Sequence, residues 1–281
     1  MDVMPNNMVK NKRKTYKNIF HWLITGLIAI LLAVILRVFV FALFAIPTPS
    51  MEPAIQVGDK VLVNKLIPGP RIIRNLFSLH QDGKANIKRL KGYRTIRRND
   101  ILIFNLAMDM NVFYAKRCVA IPGDTFFIKN GIYKVKNCDD ILGNYESQRR
   151  FFQIEEQNMP PEVFRCFPYN PVYSWNVKNF GPIYIPGKGD TIRMDEKNRL
   201  LYGNLIQYET CREEIPDELP YYIFQQNYYF MAGDYVFDSK DSRYWGLLPE
   251  EHIIGKVSRI WNSKDLHTGK LRWNRFLKKV K

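Results

Sequence analysis

The sequence predicts a mostly β protein: an antiparallel, barrel-like β domain with an inserted subdomain, on a single N-terminal transmembrane helix. Three observations carry this. Ile19 to Leu36 is almost wholly apolar, broken only by His21 and Thr25 near its start. From Val57 onward, short apolar runs alternate with turn residues. Asn130-Gly131 stands between two alternating apolar runs, a strong hairpin signal.

Taken in order, residues 1–18 form a basic N-terminus with Lys10, Lys12, Arg13, Lys14 and Lys17. Residues 19–37 form the anchor: Ile19 to Leu36 as helix spans roughly 27 Å, close to a bilayer core. Arg37 is expected to snorkel to the outer interface, with Val38 to Ile46 lying along it. A cleaved signal peptide fits less well, because no small-x-small cleavage pattern follows the apolar run. The basic N-terminus places residues before the anchor in the cytoplasm and those after it outside. Residues 38–135 form the first part of the β domain. It holds turn-then-strand runs at Val57 to Val63 and Arg98 to Phe104, a buried strand at Val112 to Ile121, and the hairpin at Thr125 to Val135. Residues 136–220 are irregular, with a strand expected at 181–186, and read as the inserted subdomain. Residues 221–281 complete the β domain with a strand from Tyr221 to Met231 and a basic C-terminus.

The formal charge of +15 suits an anionic partner, either nucleic acid or lipid. Its distribution favours lipid and no nucleic acid, since basic residues flank the apolar run. A second basic cluster holds Trp261, Trp273 and Phe276; it is either a headgroup-facing surface or a solvated one. Cys118, Cys138, Cys166 and Cys211 show no C-x-x-C spacing and no nearby histidine for zinc, so no metal or cofactor is expected. Cys118 reads as a buried thiol, and one disulfide among the other three stays open.

Ser50 is the conspicuous residue. It lies in Ile46-Pro47-Thr48-Pro49-Ser50-Met51-Glu52-Pro53, whose prolines stiffen the backbone just beyond the anchor. A membrane-surface hydrolase would hold a nucleophile there. None of His21, His80, His252 and His267 suits the part of base, and no Gly-x-Ser-x-Gly, His-Glu-x-x-His or Ser-x-x-Lys motif occurs. Lysine is the remaining candidate. By strand alternation Lys116 shares a face with Val112, Tyr114, Cys118 and Ala120, where desolvation would favour a neutral amine. Adjacent Arg117 would add like charge. A plain snorkelling lysine fits the same pattern. The third cluster, Gly233 to Gly246, offers hydroxyls, carboxylates and Arg243, with Asp241 and Arg243 placed to pair. A structural turn fits it better than a calcium loop, whose spacing and terminal glutamate are missing.

Together these blocks resemble bacterial type I signal peptidases, the membrane-bound Ser-Lys proteases that remove signal peptides. The resemblance rests on Ile-Pro-x-x-Ser-Met-x-Pro at 46–53, Asn-Asp-Ile-Leu-Ile-Phe at 99–104, Tyr-x-Lys-Arg-x-x-x-x-Pro-Gly-Asp at 114–124, and Gly-Asp followed by Asp-Ser-Arg-Tyr-Trp-Gly at 241–246. It implies Ser50 as nucleophile, Lys116 as general base and Ser239 as the hydroxyl that orients the amine. It further implies Thr48 joining the Ser50 N–H in an oxyanion hole, and Asp241 with Arg243 as a supporting ion pair. Phe44, Ile46, Met51, Ile55, Tyr114 and Ala115 would line the substrate pockets. The implied substrates are exported preproteins, cut after small residues at the first and third positions before the bond. The implied enzyme is a monomer without cofactor in the bacterial cytoplasmic membrane, single-pass, with its catalytic domain on the extracytoplasmic face. The family's usual Gly-Asp-Asn-Arg-Asp-Asn reads Gly233-Asp234-Tyr235-Val236-Phe237-Asp238 here, which puts that loop's packing in question. Two rival functions remain at this stage. A self-cleaving Ser-Lys regulator would need a DNA-binding segment where the anchor stands. A catalytically silent homologue that binds signal peptides would fail to react with a serine-directed acylating probe.

Overall fold

The computed structural model describes residues 6–73, 87–106, 109–216 and 218–280; His80 lies outside them. The N-terminal run forms helix α1, Asn6–Ile35, and continues through a π-helical turn at Leu36–Val40. Its stretch Asn18–Val40, 23 residues with none buried, is long and apolar enough to cross a bilayer. It runs past Arg37, where the sequence placed its end. The chain then enters strand β1, Phe41–Ala45, which pairs antiparallel with β2, Asp59–Asn64.

The strands that follow are β3 (Arg71–Ile73), β4 (Ile87–Arg89), β5 (Ile101–Leu106), β6 (Asp109–Ala120), β7 (Thr125–Lys129) and β8 (Ile132–Val135). Helices α2 (Tyr145–Gln153) and α3 (Pro161–Phe164), strands β9 (Phe180–Tyr184) and β10 (Thr191–Arg193), and helix α4 (Glu196–Thr210) fill the next region. Strands β11 (Tyr221–Ile223) and β12 (Tyr228–Ala232), short helix α5 (Ser242–Trp245), and strands β13 (Leu248–Pro249) and β14 (Ile253–Ser263) complete the chain. The run Tyr221 to Met231, expected as one strand, is split between β11 and β12. Asn130 and Gly131 both take positive φ, the turn geometry that closes β7 onto β8.

Seven strands form one antiparallel sheet in the order β1-β2-β14-β5-β6-β12-β13. It stays open, with β1 and β13 at its edges, so the barrel-like form does not close. It nevertheless coils strongly: Phe44 on β1 and Phe113 on β6 meet edge to face, ring centroids 5.0 Å apart. Strand β5 shows why the sheet is stable, since period-two alternation buries both its faces. Ile101 and Ile103 join Val61, Val63 and Val257 on one side, while Leu102 and Phe104 join Cys118, Met231 and Ile253 on the other. Phe126 and Phe230 stack at 4.3 Å in a third cluster, to which Phe151, Phe180, Tyr202 and Phe224 from residues 136–224 contribute. All four cysteines are free thiols, Cys118 fully buried, so no disulfide joins Cys138, Cys166 and Cys211.

The C-terminal segment folds back onto the Ser50 string. Arg275 makes a forked pair with the buried Asp59, 3.0 and 2.6 Å, and donates to Ala54 O at 3.2 Å. Asp59 also accepts from Gln56 N–H at 2.8 Å. Arg275→Ala would leave that carboxylate buried and unpaired, so it is expected to cost about 3–5 kcal/mol of stability. Unfolding in detergent, followed by circular dichroism against denaturant, measures this; a loss under about 1 kcal/mol would contradict the role given to the pair.

Candidate active site

Ser50 sits in the turn that follows β1, and Lys116 near the middle of β6. They are 66 positions apart in sequence, yet Lys116 Nζ donates to Ser50 Oγ. Two features bring them together. Ile46 bridges back to the β2 region through Ile46 N–H to Asp59 O at 2.9 Å and Gly58 N–H to Ile46 O at 3.0 Å. The chain then turns with Met51 and Ile55 packed into the apolar cluster under β5. Ser50 is 8% exposed and Lys116 4%.

Burial is the main influence on Lys116 and drives its pKa down. Asp241 pulls it up, Arg243 pushes it down, and Asp238 and Asp234 pull it up; the result is about 8. No carboxylate contacts the amine among the described residues. Arg117, the neighbour expected to add like charge, is instead neutralised by Asp234 in a buried fork of 2.7 and 2.6 Å. The repelling cation is Arg243.

Asp241 organises the third wall. One oxygen accepts from Arg243 N–H and Nε, at 3.2 and 2.8 Å. The other accepts from Gly233 N–H at 3.0 Å, Ser239 Oγ at 2.8 Å and Arg243 Nη2 at 2.9 Å. Burial alone would raise this carboxyl, but Arg243, the hydrogen bonds and Lys116 outweigh it and hold it below its ordinary value. With both oxygens occupied by protein donors, the loop is a closed hydrogen-bonded turn. Ser239 gives its proton to Asp241, so its lone pairs are what remain to face other donors. Gly233 is glycine for steric reasons: a Cβ there would fall 2.1 Å from Ser239 Oγ and 2.7 Å from Ser50 O. Tyr235 N–H donates to Ser50 O at 3.1 Å, tying the loop directly to the Ser50 turn.

The loop residues that depart from the type I pattern have partners of their own. Phe237 meets Phe151 of α2 edge to face at 5.1 Å, and Val236 N–H donates to Ser147 Oγ at 3.1 Å. Aromatic packing against α2 therefore holds the loop where polar residues would otherwise stand.

Ser50 and Lys116 open into a cleft of about 350 Å³. Phe44, Ile46, Met51, Tyr114 and Ala115, five of the residues that the resemblance assigned to substrate pockets, line it together with Thr48. Ile55 does not: it is fully buried in the core beneath Met51. Ile103, Val112, Phe113, Asp238 and Lys240 line the cleft as well and were not foreseen. Asp238 and Lys240 flank Ser239, so proximity to it was the available signal. Among the described residues the Ser50 N–H donates to nothing. Strand β12 covers β6 only from Arg117 onward, so Val112 to Lys116 present a free edge to the cleft.

The profile of the family described as "Signal peptidase, peptidase S26" matches residues 19–262. The chain belongs to that family. A signal peptidase I of Buchnera aphidicola subsp. Acyrthosiphon pisum is 30% identical over 91% of this chain and 78% of its own. One from Helicobacter pylori is 26% identical over 97% of this chain and 95% of its own. The crystal structure of a signal peptidase I from Enterococcus faecalis is similar over 58% of this chain and 97% of its own, at 16% identity and a TM-score of 0.31. Family membership makes the chain a serine protease that cleaves signal peptides from exported preproteins, and its apolar helix Asn18–Val40 is compatible with membrane anchoring.

The close approach at Gly233 can be tested directly. Gly233→Ala must push Ser239 or the Ser50 turn aside, so preprotein cleavage is expected to fall about 10²-fold while the far-ultraviolet circular dichroism stays unchanged. Activity within a factor of about 3 would mean that the loop relaxes without disturbing Ser50.

Proposed function

We propose that this protein is a Ser-Lys signal peptidase in which Ser50 is the nucleophile and Lys116 the general base. It cuts preproteins after small residues at the first and third positions before the bond. It acts as a monomer from a single-pass anchor in the bacterial cytoplasmic membrane, with the cleft on the extracytoplasmic face. The observation that carries the reading is the contact of Lys116 Nζ with Ser50 Oγ, made by a lysine buried away from any contacting carboxylate.

The substrate chain lies extended along the free edge of β6 at Val112 to Lys116 and adds a strand to it. Alternate side chains then enter the cleft beside Phe44, Ile46, Met51 and Tyr114, whose bulk leaves room for small residues. Neutral Lys116 takes the Ser50 proton as Oγ attacks the scissile carbonyl carbon. Negative charge gathers on the carbonyl oxygen, opposite the unused Ser50 N–H and the exposed Thr48 hydroxyl. When the C–N bond breaks, the Lys116 ammonium gives its proton to the departing amine, leaving the signal peptide as an ester on Ser50. Lys116 then deprotonates a water, which attacks the ester and frees both the serine and the signal-peptide carboxylate. Ser239, fixed by Asp241, presents lone pairs that orient the amine during these transfers.

Preprotein cleavage by the full chain in detergent tests the assignment. Ser50→Ala and Lys116→Ala are each expected to lower kcat by at least about 10³-fold with little change in KM. Retention within tenfold of the parent by either variant would overturn the mechanism.

The pH profile follows from the sign of the lysine shift. Only the neutral amine is active, so kcat/KM should fall tenfold for each pH unit below the Lys116 pKa of about 8 and level off above it. Asp238 pulls that pKa up, so Asp238→Asn should move the acid limb to lower pH and leave the plateau in place. A limb that stays fixed, or moves to higher pH, would contradict this electrostatic account.

A further inference from the structure

A second cavity, about 460 Å³, lies where the apolar helix meets the sheet. Arg37, Lys65 and Arg71 line it with Val38, Phe39 and Ile254. No Asp or Glu lines it among the described residues, so three cations share a cavity without a contacting counter-charge. They act on one another: burial lowers the Lys65 pKa, and Arg71 and Arg37 lower it further. The carboxylate that acts on Arg71 from a distance is Glu251, which accepts the Tyr208 hydroxyl instead.

Two of the three side chains are held by the fold. Lys65 Nζ donates to the carbonyls of Arg37 and Val38, each at 3.0 Å, which satisfies the open end of the helix. One N–H of the ammonium remains. Arg71 is pinned by His252 O and Asn105 Oδ1, both at 3.1 Å, which sets its guanidinium at the cavity wall. Arg37 is exposed, and its guanidinium has no protein partner among the described residues. The arrangement is two preset cations and one free one, a poor way to stabilise a fold and a good way to receive an anion.

The neighbouring surface says which anion. Arg37 and Lys65 also border an apolar groove formed by Leu36, Phe41, Leu43 and Trp261. Arg37 is in the last turn of the membrane-crossing helix, the level of lipid headgroups. We propose that Arg37, Lys65 and Arg71 bind the phosphate of an anionic phospholipid, whose acyl chains lie along the groove toward Trp261. Beyond Val40 the chain runs directly into β1 and on to Ser50, so a lipid held there fixes the height of the cleft above the bilayer. Free phosphate satisfies the same cations but leaves the apolar groove empty.

The test uses the full chain with Ser50→Ala, so that binding is read without cleavage and stands apart from the catalytic assignment. Purified in a neutral detergent, it is titrated with phosphatidylglycerol, phosphatidylcholine or inorganic phosphate, and retained lipid is counted by native mass spectrometry. One phosphatidylglycerol is expected to bind saturably and in preference to phosphatidylcholine. Removing the partner-free cation in Arg37→Gln should weaken it about fivefold. Lys65→Gln should weaken it at least as much, but Lys65 also caps the helix, so Arg37→Gln is the deciding variant. Lys270→Gln removes an exposed charge that lines neither the cavity nor the groove and should leave binding unchanged. Equal loss in Arg37→Gln and Lys270→Gln, or no loss in Arg37→Gln, would overturn the site. Equal retention of phosphatidylcholine, or displacement of the lipid by millimolar phosphate, would overturn the lipid assignment.

Discussion

Burying Lys116 without a carboxylate in contact is the constraint on which the rest of the site depends. A lysine in that position either finds a counter-ion, which would fix it as an ammonium, or loses its proton. The fold prevents the first outcome by committing the two buried carboxylates of the neighbouring loop elsewhere, while exposed Asp238 lines the cleft without contacting the amine. Asp234 is committed to Arg117 and Asp241 to Arg243, Ser239 and Gly233. At the amine, Asp241 and Arg243 act with opposite signs, and desolvation is left as the main influence. The ion pair therefore supports the proposed base by setting Arg243 against the pull of Asp241 on Lys116. A bare Asp241 would pull Lys116 towards an ammonium.

The same carboxylate links the chemistry to the packing. Asp241 holds Gly233 N–H, Gly233 leaves room for Ser239 and Ser50 O, and Tyr235 N–H returns to Ser50 O. On its other side the loop rests on α2 through Phe237 against Phe151 and Val236 N–H to Ser147 Oγ. Residues 136–224 thus share a core with the β7–β8 hairpin and brace the loop that faces the base. The unusual Tyr235-Val236-Phe237 makes sense in that light: apolar side chains are what an α2 partner requires. The polar functions of the loop stay with Asp234, Ser239, Asp241 and Arg243.

Much of this was legible in the sequence, and the misses have physical causes. The strands were readable where turn residues bounded them, as at Asn130-Gly131, and the Ser50 string was readable from its prolines. The helix end was misplaced because Arg37 looked like a stop. In the structure Lys65, in the bend just after β2, caps the carbonyls of Arg37 and Val38, so the helix runs on to Val40. Ile55 was assigned to the cleft, but whether an isoleucine faces a cleft or the core beneath it depends on a turn that spacing does not report. The charge on Arg117 was misjudged because its partner Asp234 lies 117 positions away. Pairings of that kind, like the contact of Lys116 with Ser50, become visible only once the sheet order brings β6 beside β12 and coils it towards β1.

That coiling also limits where Ser50 can be. Nine residues lie between Val40 and Ser50, so Ser50 lies within roughly 36 Å of the end of the apolar helix along even a fully extended path. The path is not free to vary. Strand β1 is paired with β2 along its whole length, from Phe41 opposite Asn64 to Ala45 opposite Lys60. Ile46 continues the ladder through Asp59 and Gly58. Asp59 in turn is clamped by Arg275. A hinge between β1 and Ser50 would have to break these bonds, so Ser50 keeps a fixed place relative to β1. In the mechanism proposed above, a nucleophile fixed so soon after the apolar helix suits a substrate whose cleavable bond lies at a fixed distance from its own apolar segment.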